Sequence, residues 1–513
     1  RHIPKEAAIA VIVNGKSLSE KLPWEEVKKS KWYQIVSEDS TMDAVAKSVL
    51  ENPDNTGIDT KQDLIFFAVK DSVGGYVAFE GTVKDPAVFK KVMLESSKGS
   101  ESEKDGVHFI ESKQVSISWK EDRFIIAADA PFFQQKNIFT ENDSNKAKRD
   151  VKPICISLYD LKEKNSLSED DKLSDILKKE GDVYFYLNTG SLYNGSLATA
   201  ALSMLNISKL YDGSFLTGVL NFDKGKATID LKSYSGKEMN EIVKKYSASS
   251  IDKDMVKRIP TKNIGMILAF SFKPEGLREF LKLSGLEGFA NMGTGYLGFS
   301  VDDFIKANKG DVLLCLSDAK TDSNRNTDMK VLFSASIGDR DAFNKLVAAG
   351  QRLGKEAGEG VEGKFFYQMD KSYFVIGNEK PYVDQYIANS ANNSFDVVNK
   401  MSDNPMVVYA DLQHFMKGIG QNQNRDSLDN ILFQTSLKTW DNVSMWGGKY
   451  NDGAVDSHIE LNFVDKNTNS LKLINDFFGV AADVQKQKEA RWNTEPAVVE
   501  PVPDVAPVEE AKP

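Results

Sequence analysis

The stretch Ile3–Leu22, IPKEAAIAVIVNGKSLSEKL, decides the fold that we expect for this chain. Its apolar run ends at the polar Asn14, and two leucines four residues apart, Leu18 and Leu22, follow. Small and β-branched residues favour a strand, and the four-residue spacing favours a helix. The stretch, which we call the opener, therefore predicts a strand, a turn and a helix.

The opener returns three more times along the chain. GDVYFYLNTGSLYNGSL starts at Gly181, NIGMILAFSFKPEGLREFL at Asn263 and NPMVVYADLQHFMKGI at Asn404. The residues between openers also repeat at constant shifts: Asp85 matches Asp339 at a shift of 254 in the first kind of unit. In the second kind, Asn188 matches Asp411 at 223, and Leu231 matches Leu461 at 230. These spacings predict a duplicated unit, with chance resemblance among α+β segments as the alternative.

The repeats divide the chain into units in the order A-B-A-B. We expect a first A unit at 1–134, an insertion and connecting helix at 135–180, a first B unit at 181–250, a second A unit at 251–389, a second B unit at 390–480, and at 481–513 a helix end and a tail rich in Pro, Val and Glu. The polar segment Asn137–Lys152 predicts a surface loop, and the tail is too polar to fold alone. The predicted fold class is α+β: two pseudo-repeated lobes of mainly antiparallel sheets, with helices packed on one face.

Composition and charge exclude several classes of protein. The 513 residues are 41% hydrophobic, which is enough for more than one core, and no apolar run is long enough for a membrane span. The net charge of -10 lacks the clustered basic face that a nucleic-acid partner needs. Cys155 and Cys315 lie in apolar runs typical of strands, which favours buried free thiols over a disulfide.

Three short motifs resemble ligand sites but depart from the patterns that bind ligands. Asn14–Ser17 looks like the end of a phosphate-binding loop, yet Ala10 stands where that loop needs glycine. Asp322–Asp328 alternates oxygen ligands as calcium loops do, but lacks their glycine, which favours a polar hairpin tip. Gly293–Gly298 matches a dinucleotide fingerprint without the preceding strand, which favours a glycine-rich turn that enters a strand. We expect no cofactor and no metal.

Motifs for nucleophilic or histidine catalysis are missing from the sequence. The four histidines have no paired spacing, and no GxSxG segment occurs. His108 and His458 lie in strand-like runs, where a structural histidine with satisfied hydrogen bonds is the usual case. Carboxylates from distant positions could still meet in the fold, so an enzyme has no support from a motif but is not excluded.

Aromatic residues gather in the two B units, and six of them form the candidate contact surface. In strands, alternate residues face the core, and the others face outward, where exposed aromatic rings bind proteins or sugars. The alternation leaves open which of the six belong to the core. The candidates are Tyr184, Tyr193, Tyr211, Trp440, Trp446 and Tyr450.

The opener also resembles a family of uncharacterised cell-envelope lipoproteins of Bacteroidota, known as a domain of unknown function. The likeness rests on Ile3-Pro4-Lys5, on Ala10-Val11, on Asn14–Leu18 and on the repeated strands. It implies an outer-membrane lipoprotein, facing the periplasm or the cell surface, whose lipid-bearing cysteine lies upstream of Arg1 and outside this chain. It brings no catalytic residues.

Two functions follow as expectations. The first is a non-catalytic binding or accessory subunit, whose partners are outer-membrane or other envelope proteins and not nucleic acid. The alternative is a hydrolase that acts on glycan or peptide through carboxylates in a cleft between the lobes.

Overall fold

The computed structural model describes residues 2–39, 41–112, 115–130, 149–193, 205–356, 364–420, 423 and 425–494, with the side chains of residues 193 and 492–494 left out. Most of the predicted loop at 137–152 and the tail from residue 495 onward lie outside the described residues.

The described strands are all antiparallel to their neighbours. They are β1 Ala7–Asn14, β2 Asp63–Val69, β3 Tyr76–Thr82, β4 Ser100–Lys104, β5 Val107–Glu111, β6 Ser116–Lys120, β7 Arg123–Asp129, β8 Val183–Leu187, β9 Phe215–Asp223, β10 Lys226–Tyr234, β11 Ile264–Ser271, β12 Asn308–Thr321, β13 Thr327–Ile337, β14 Phe366–Met369, β15 Tyr373–Gly377, β16 Met406–Asp411, β17 Trp440–Asn451 and β18 Ala454–Phe463.

Helices connect these strands. They are α1 Gly15–Lys21, α2 Trp24–Val27, α3 Lys31–Ser37, α4 Ala44–Glu51, α5 Pro86–Ser97, α6 Lys152–Tyr159, α7 Asp171–Leu177, α8 Thr189–Tyr193, α9 Ser208–Tyr211, α10 Lys237–Tyr246, α11 Lys253–Lys257, α12 Gly276–Ser284, α13 Glu287–Leu297, α14 Val301–Ala307, α15 Arg340–Glu356, α16 Lys380–Ile387, α17 Asp396–Met401, α18 Leu412–Phe415, α19 Ser427–Thr439 and α20 Ser470–Thr494. Short 3₁₀ turns lie at Pro53–Thr56, Glu163–Asn165 and Leu167–Glu169, and a π turn at Met416–Gly420.

All eighteen described strands join into one sheet. The pairings give the order β4-β5-β6-β7-β3-β2-β1-β8-β9-β10-β18-β17-β16-β11-β12-β13-β15-β14. The predicted mixture of helices with large antiparallel sheet structure is confirmed. The strands of residues 7–234 fill one end of the sheet and those of residues 264–463 the other, so β10 and β18 meet at the centre.

The four openers occupy the interior of the sheet, as strands β1, β8, β11 and β16. β1 lies between β2 and β8, and β11 lies between β12 and β16, so the openers pair with one another. The predicted strand of the first opener is confirmed, and its apolar residues Ala10 and Ile12 are each 1% exposed while Lys16 in the following helix is exposed. A strand paired on both sides can bury its apolar run without leaving backbone groups unpaired.

The polar end of the first opener forms the cap of the helix that follows it. The Asn14 side chain accepts a hydrogen bond from the Ser17 N–H at 3.0 Å, which caps α1. Ser17 Oγ donates to the buried Asp182 at 2.5 Å, and Lys21 Nζ lies 2.6 Å from the same carboxylate. A side chain at Gly15 would collide with the carbonyl oxygen of Thr60. The segment therefore ties the first opener to the second.

Helices pack on both faces of the sheet, which corrects the prediction of one covered face. In the first half, the neighbouring residues Phe124 and Ile125 belong to two different cores. Phe124 packs with Phe89 of α5, whereas Ile125 packs with Cys155 and other residues of α6 and α7. Successive strand residues point to opposite faces, so a strand buried on both faces needs a helix on each.

The prediction that both cysteines are buried and free is confirmed. Two predictions of local secondary structure were wrong. The run around Cys155 is the helix α6, in which Pro153 stands in the first turn and Leu158 shares the buried face. The segment Gly293–Gly298 does not enter a strand. It closes the helix α13, and Gly298 takes the left-handed φ of +82° that ends many helices.

The predicted polar hairpin tip at 322–328 is confirmed. β12 and β13 pair as far as Thr321 and Thr327, and the Asp322 carboxylate accepts the Asn326 N–H at 2.8 Å within the turn. Among the described residues, no group of three or more His, Cys, Asp or Glu side chains is placed to hold a metal ion.

Replacing Ile12 with alanine should lower the free energy of unfolding by about 2–5 kcal/mol, because it empties part of a core that the fold cannot close. Urea denaturation followed by circular dichroism measures the change. Lys16→Ala, four residues on and exposed, is the control and should shift stability by less than about 0.5 kcal/mol. Equal effects of the two changes would contradict the placement of the opener.

Candidate binding pocket at the centre of the sheet

A pocket of about 580 Å³ opens where β10 and β18 meet. Residues of α7, β10, β17 and β18 and of the segments beside them line this central pocket. They are Ile176, Lys179, Asp230, Leu231, Lys232, Asn404, Trp446, Gly447, Lys449, Tyr450, Asn451, Asp456, Ser457 and His458. Strands from both halves of the chain thus contribute to one cavity.

His458 is held between two carboxylates in the wall of the central pocket. Its Nδ1 lies 2.6 Å from Asp230 Oδ1, and its Nε2 lies 3.3 Å from Glu460 Oε1. Asp230 stands directly opposite His458 in the β10–β18 ladder, and Glu460 follows two residues later on the same face. Lys226 Nζ also contacts Glu460 Oε1, at 2.7 Å. Both imidazole nitrogens are therefore engaged.

The pKa values of this cluster favour its charged form. Burial lowers the pKa of His458, but hydrogen bonds to Asp230 and Glu460 outweigh it and raise the pKa above its usual range. The bond to His458 lowers the pKa of Asp230. Burial raises the pKa of Glu460, but the contacts with Lys226 and His458 hold it below its usual range. An imidazolium with two hydrogen-bonded carboxylates is the arrangement that these shifts support.

Trp446 and Tyr450 of β17 give the central pocket its aromatic surface. Trp446 stands opposite His458 in the ladder, with ring centroids 4.3 Å apart. Lys179 and Lys449 line the pocket as well and have no ion-pair partner among the described residues, whereas Lys232 lies 3.3 Å from Asp456. Aromatic faces beside unpaired ammonium groups suit an anionic or amphipathic surface on a partner.

The other candidate aromatic residues lie elsewhere. Tyr184 is 5% exposed and packs in the first core, where its hydroxyl donates to the Lys179 carbonyl oxygen at 2.7 Å. Trp440 packs against Phe463 and Phe477, and Tyr211 is half-buried in α9. The side chain of Tyr193 is outside the described part of the chain. Of the six candidates, the central pocket brings together Trp446 and Tyr450.

Sequence reasoning missed the charged half of the central pocket. It did predict a structural role with satisfied hydrogen bonds for His458, which the two carboxylate contacts confirm. It did not connect that histidine with Asp230, because the two are 228 residues apart and meet through a strand pairing. The shift of 230 would have matched Asp230 with Glu460, which was the available signal.

The continuous antiparallel sheet and the helices that pack against it define an α+β protein. The chain belongs to the family DUF4836, described as a domain of unknown function, whose profile matches residues 1–382. No curated protein matches the chain significantly. No helix among the described residues has the length and apolar character that crossing a membrane requires.

Solved structures give distant similarity. Crystal form I of TP0453 is 11% identical, with a TM-score of 0.26 over 45% of this chain and 76% of that one. Crystal form III is also 11% identical, with a TM-score of 0.28 over 49% and 87% of the two chains. Likenesses of this size do not establish a shared fold.

Replacing His458 with glutamine should remove a stabilisation that depends on pH. The folded-state pKa of His458 is raised. The difference in the free energy of unfolding between wild type and variant is therefore largest below the ordinary pKa of 6.5, and it is lost as pH rises through the folded-state pKa. It is also lost in acid, as pH falls through the lowered pKa values of Asp230 and Glu460. Urea denaturation of both proteins across this range measures the difference.

His108→Gln is the control for that experiment, because the His108 side chain is 44% exposed and lies 3.7 Å from one carboxylate oxygen. A difference between wild type and His458→Gln that stays constant or grows from pH 6 to about pH 9 would contradict the charged cluster.

Proposed function

We propose that this protein is a non-catalytic binding or accessory subunit of an outer-membrane protein complex in the bacterial cell envelope. The observation that carries the proposal is the central pocket, where Trp446 and Tyr450 line a cavity beside Lys179 and Lys449, two lysines that form no close ion pair with another described residue. Tryptophan and tyrosine carry much of the binding energy of protein interfaces, and lysines beside them favour an acidic surface on the partner. The envelope location and a lipid anchor upstream of Arg1 are proposed on the resemblance of the opener to Bacteroidota lipoproteins.

The bonding of the acidic residues favours this proposal over the hydrolase. Hydrolysis by two carboxylates needs one that keeps its proton near neutral pH. The pKa values of Asp230 and Glu460 are both lowered, so both stay ionised, and both contact His458. The imidazole has no nitrogen left to exchange a proton with a substrate. The arrangement is that of a structural ion cluster.

We also propose that the two ends of the sheet are pseudo-repeated lobes in the order A-B-A-B. The pairing of openers supports it: Ala10 pairs with Tyr186, and Ile267 pairs with Tyr409. Ala10 and Ile267 are 257 residues apart. Tyr186 and Tyr409 are 223 apart, and 223 is the shift that the sequence gives for the B units. The polar ends of the A openers, Asn14 and Ser271, are also 257 apart, so the openers pair in the same register when their polar ends are aligned.

The centre of the sheet supports the same duplication. Leu231 and Leu461 match at a shift of 230, and the same shift matches Ile229 with Ile459. Ile229 and Ile459 are direct partners in the β10–β18 ladder. An equivalent pair of residues that face each other marks the position of a local two-fold axis between the lobes. The central pocket lies beside this axis, so a bound partner would contact both lobes.

Native co-purification tests the binding function. After cross-linking in intact envelopes, the wild-type protein should recover a defined set of envelope proteins, identified by mass spectrometry. The double variant Trp446→Ala/Tyr450→Ala should lose at least about tenfold of that recovery, because aromatic anchors carry much of the energy of an interface.

Tyr296→Ala is the control for the co-purification, since Tyr296 is 79% exposed and distant in sequence from the pocket residues. The control should retain wild-type recovery. Wild-type protein that comes alone from every detergent condition would contradict the proposal, as would equal recovery by the double variant.

A further inference from the structure

The two edge strands of the eighteen-stranded sheet differ in their protection against pairing with a further strand. One end is β4, whose sequence SESEK is charged at Glu101, Glu103 and Lys104. The other end is β14, whose sequence FYQM carries no charge. Natural sheets use charged residues to keep other strands from adding to an exposed edge. The β4 end has this protection and the β14 end lacks it.

The outer edge of β14 exposes backbone groups that pair with no other described strand. β14 pairs with β15, and no other described strand pairs with it. The Asp370 N–H donates to the Tyr373 carbonyl oxygen at 3.0 Å where the two strands join. Because hydrogen-bonded pairs alternate along an antiparallel ladder, the N–H and C=O of Tyr367 and Met369 point away from β15. These groups are available to an added strand.

A cavity lies on each side of β14. A groove of about 790 Å³ runs between the sheet and α15, lined by Phe333, Phe343, Leu346, Tyr367 and Phe374 among others. A smaller cavity of about 250 Å³ lies between β14 and α16, beside Phe366, Gln368 and Val383. Side chains of a strand alternate between two faces. A strand added to β14 could therefore place alternate side chains in the two cavities.

The first half of the chain fills the corresponding places with its own strand. β3 leads into the helix α5, and β6 is the second strand beyond β3 in the sheet. In the other half β13 leads into α15, and β14 is likewise the second strand beyond β13. β5 pairs with the outer edge of β6. Phe109 and Ile110 of β5 are both fully buried, and they belong to cores on opposite faces. The side chains of β5 thus pack into the cores on both faces of the sheet. A segment that binds such an edge therefore needs apolar side chains on both of its faces.

The charges around β14 indicate the composition of a segment that would bind its outer edge. Lys364 and Lys371 flank β14, and Lys355 lies at the rim of the larger groove. None of the three has an ion-pair partner within the described ranges. An extended segment with apolar residues at its centre and acidic residues at its ends would complement both the cavities and the lysines.

We propose that the β14 edge binds an extended segment of a partner protein, apolar at its centre and acidic at its ends, as an additional strand of the sheet. Backbone hydrogen bonds to Tyr367 and Met369 supply affinity, and the two cavities select the side chains. This site is separate from the central pocket and does not depend on the function proposed for that pocket.

The test uses a fluorescent synthetic peptide with the sequence of Asp105–Ser112, DGVHFIES, which has the required apolar centre and acidic ends. Its anisotropy on titration with the full chain should show saturable binding that weakens with added salt. Tyr367→Pro should bind at least about fivefold more weakly than Tyr367→Ala, since both lose the ring but proline also loses the outward N–H.

A second pair of variants tests the larger groove. A side chain at Gly354 would meet no atom within 4 Å, so Gly354→Leu should fold normally and occupy part of the groove. It should weaken peptide binding at least about fivefold. Gly293→Leu, at a helical glycine of α13 with the same open surroundings, is the matched control and should leave binding unchanged.

Several results would overturn the proposal. No binding of the peptide at millimolar concentration would be one such result, and equal binding by the proline and alanine variants would be another. Displacement by a synthetic peptide of residues 495–513 would make the chain's own tail the occupant. A dimer in light scattering that Tyr367→Pro dissociates would make a second copy the occupant.

Discussion

The pairing of β10 with β18 is the interaction on which the rest of the structure depends. Eight residue pairs of this ladder join strands that are more than two hundred residues apart in sequence, and they turn two groups of strands into one sheet. The helix α20 strengthens the connection, because Trp32 Nε1 donates to Asn475 and Lys472 contacts Glu26 of the first half. Closing so long a loop costs conformational entropy, which the ladder and the apolar contacts around it must offset.

The central pocket is a consequence of that ladder. Its register puts Asp230 opposite His458, and the next strand puts Trp446 opposite the same histidine. His458 and Lys226 pair with the carboxylates of Asp230 and Glu460, while Trp446, Tyr450, Lys179 and Lys449 line the pocket beside this cluster. Under the proposed duplication, Asp230 and Glu460 are equivalent acids that share a single histidine, so the pocket is a place where the two lobes differ.

Local sequence predicted the strands of the openers well, because apolar runs bounded by polar residues report burial directly. It failed for Cys155, whose β-branched neighbours suggested a strand although Pro153 starts a helix. It also failed to predict helices on both faces of the sheet. Both faces are covered because Phe124 and Ile125 pack into different cores, and a local pattern does not show which core a residue joins. The site was predictable in its aromatic half alone: the contact of His458 with Asp230 requires the register of two distant strands, which no local pattern contains.

Hydrogen–deuterium exchange of the intact protein tests most directly whether the two groups of strands form one sheet through this ladder. The account predicts that amides of Lys226–Tyr234 and Ala454–Phe463 are protected together, to a degree comparable with the opener strands Ala7–Asn14 and Ile264–Ser271. Under the proposed duplication, it also predicts similar protection for the matched strands of the two halves of the sheet. Rapid exchange in β10 and β18 while both openers stay protected would contradict the account, because the lobes would then be stable without the ladder.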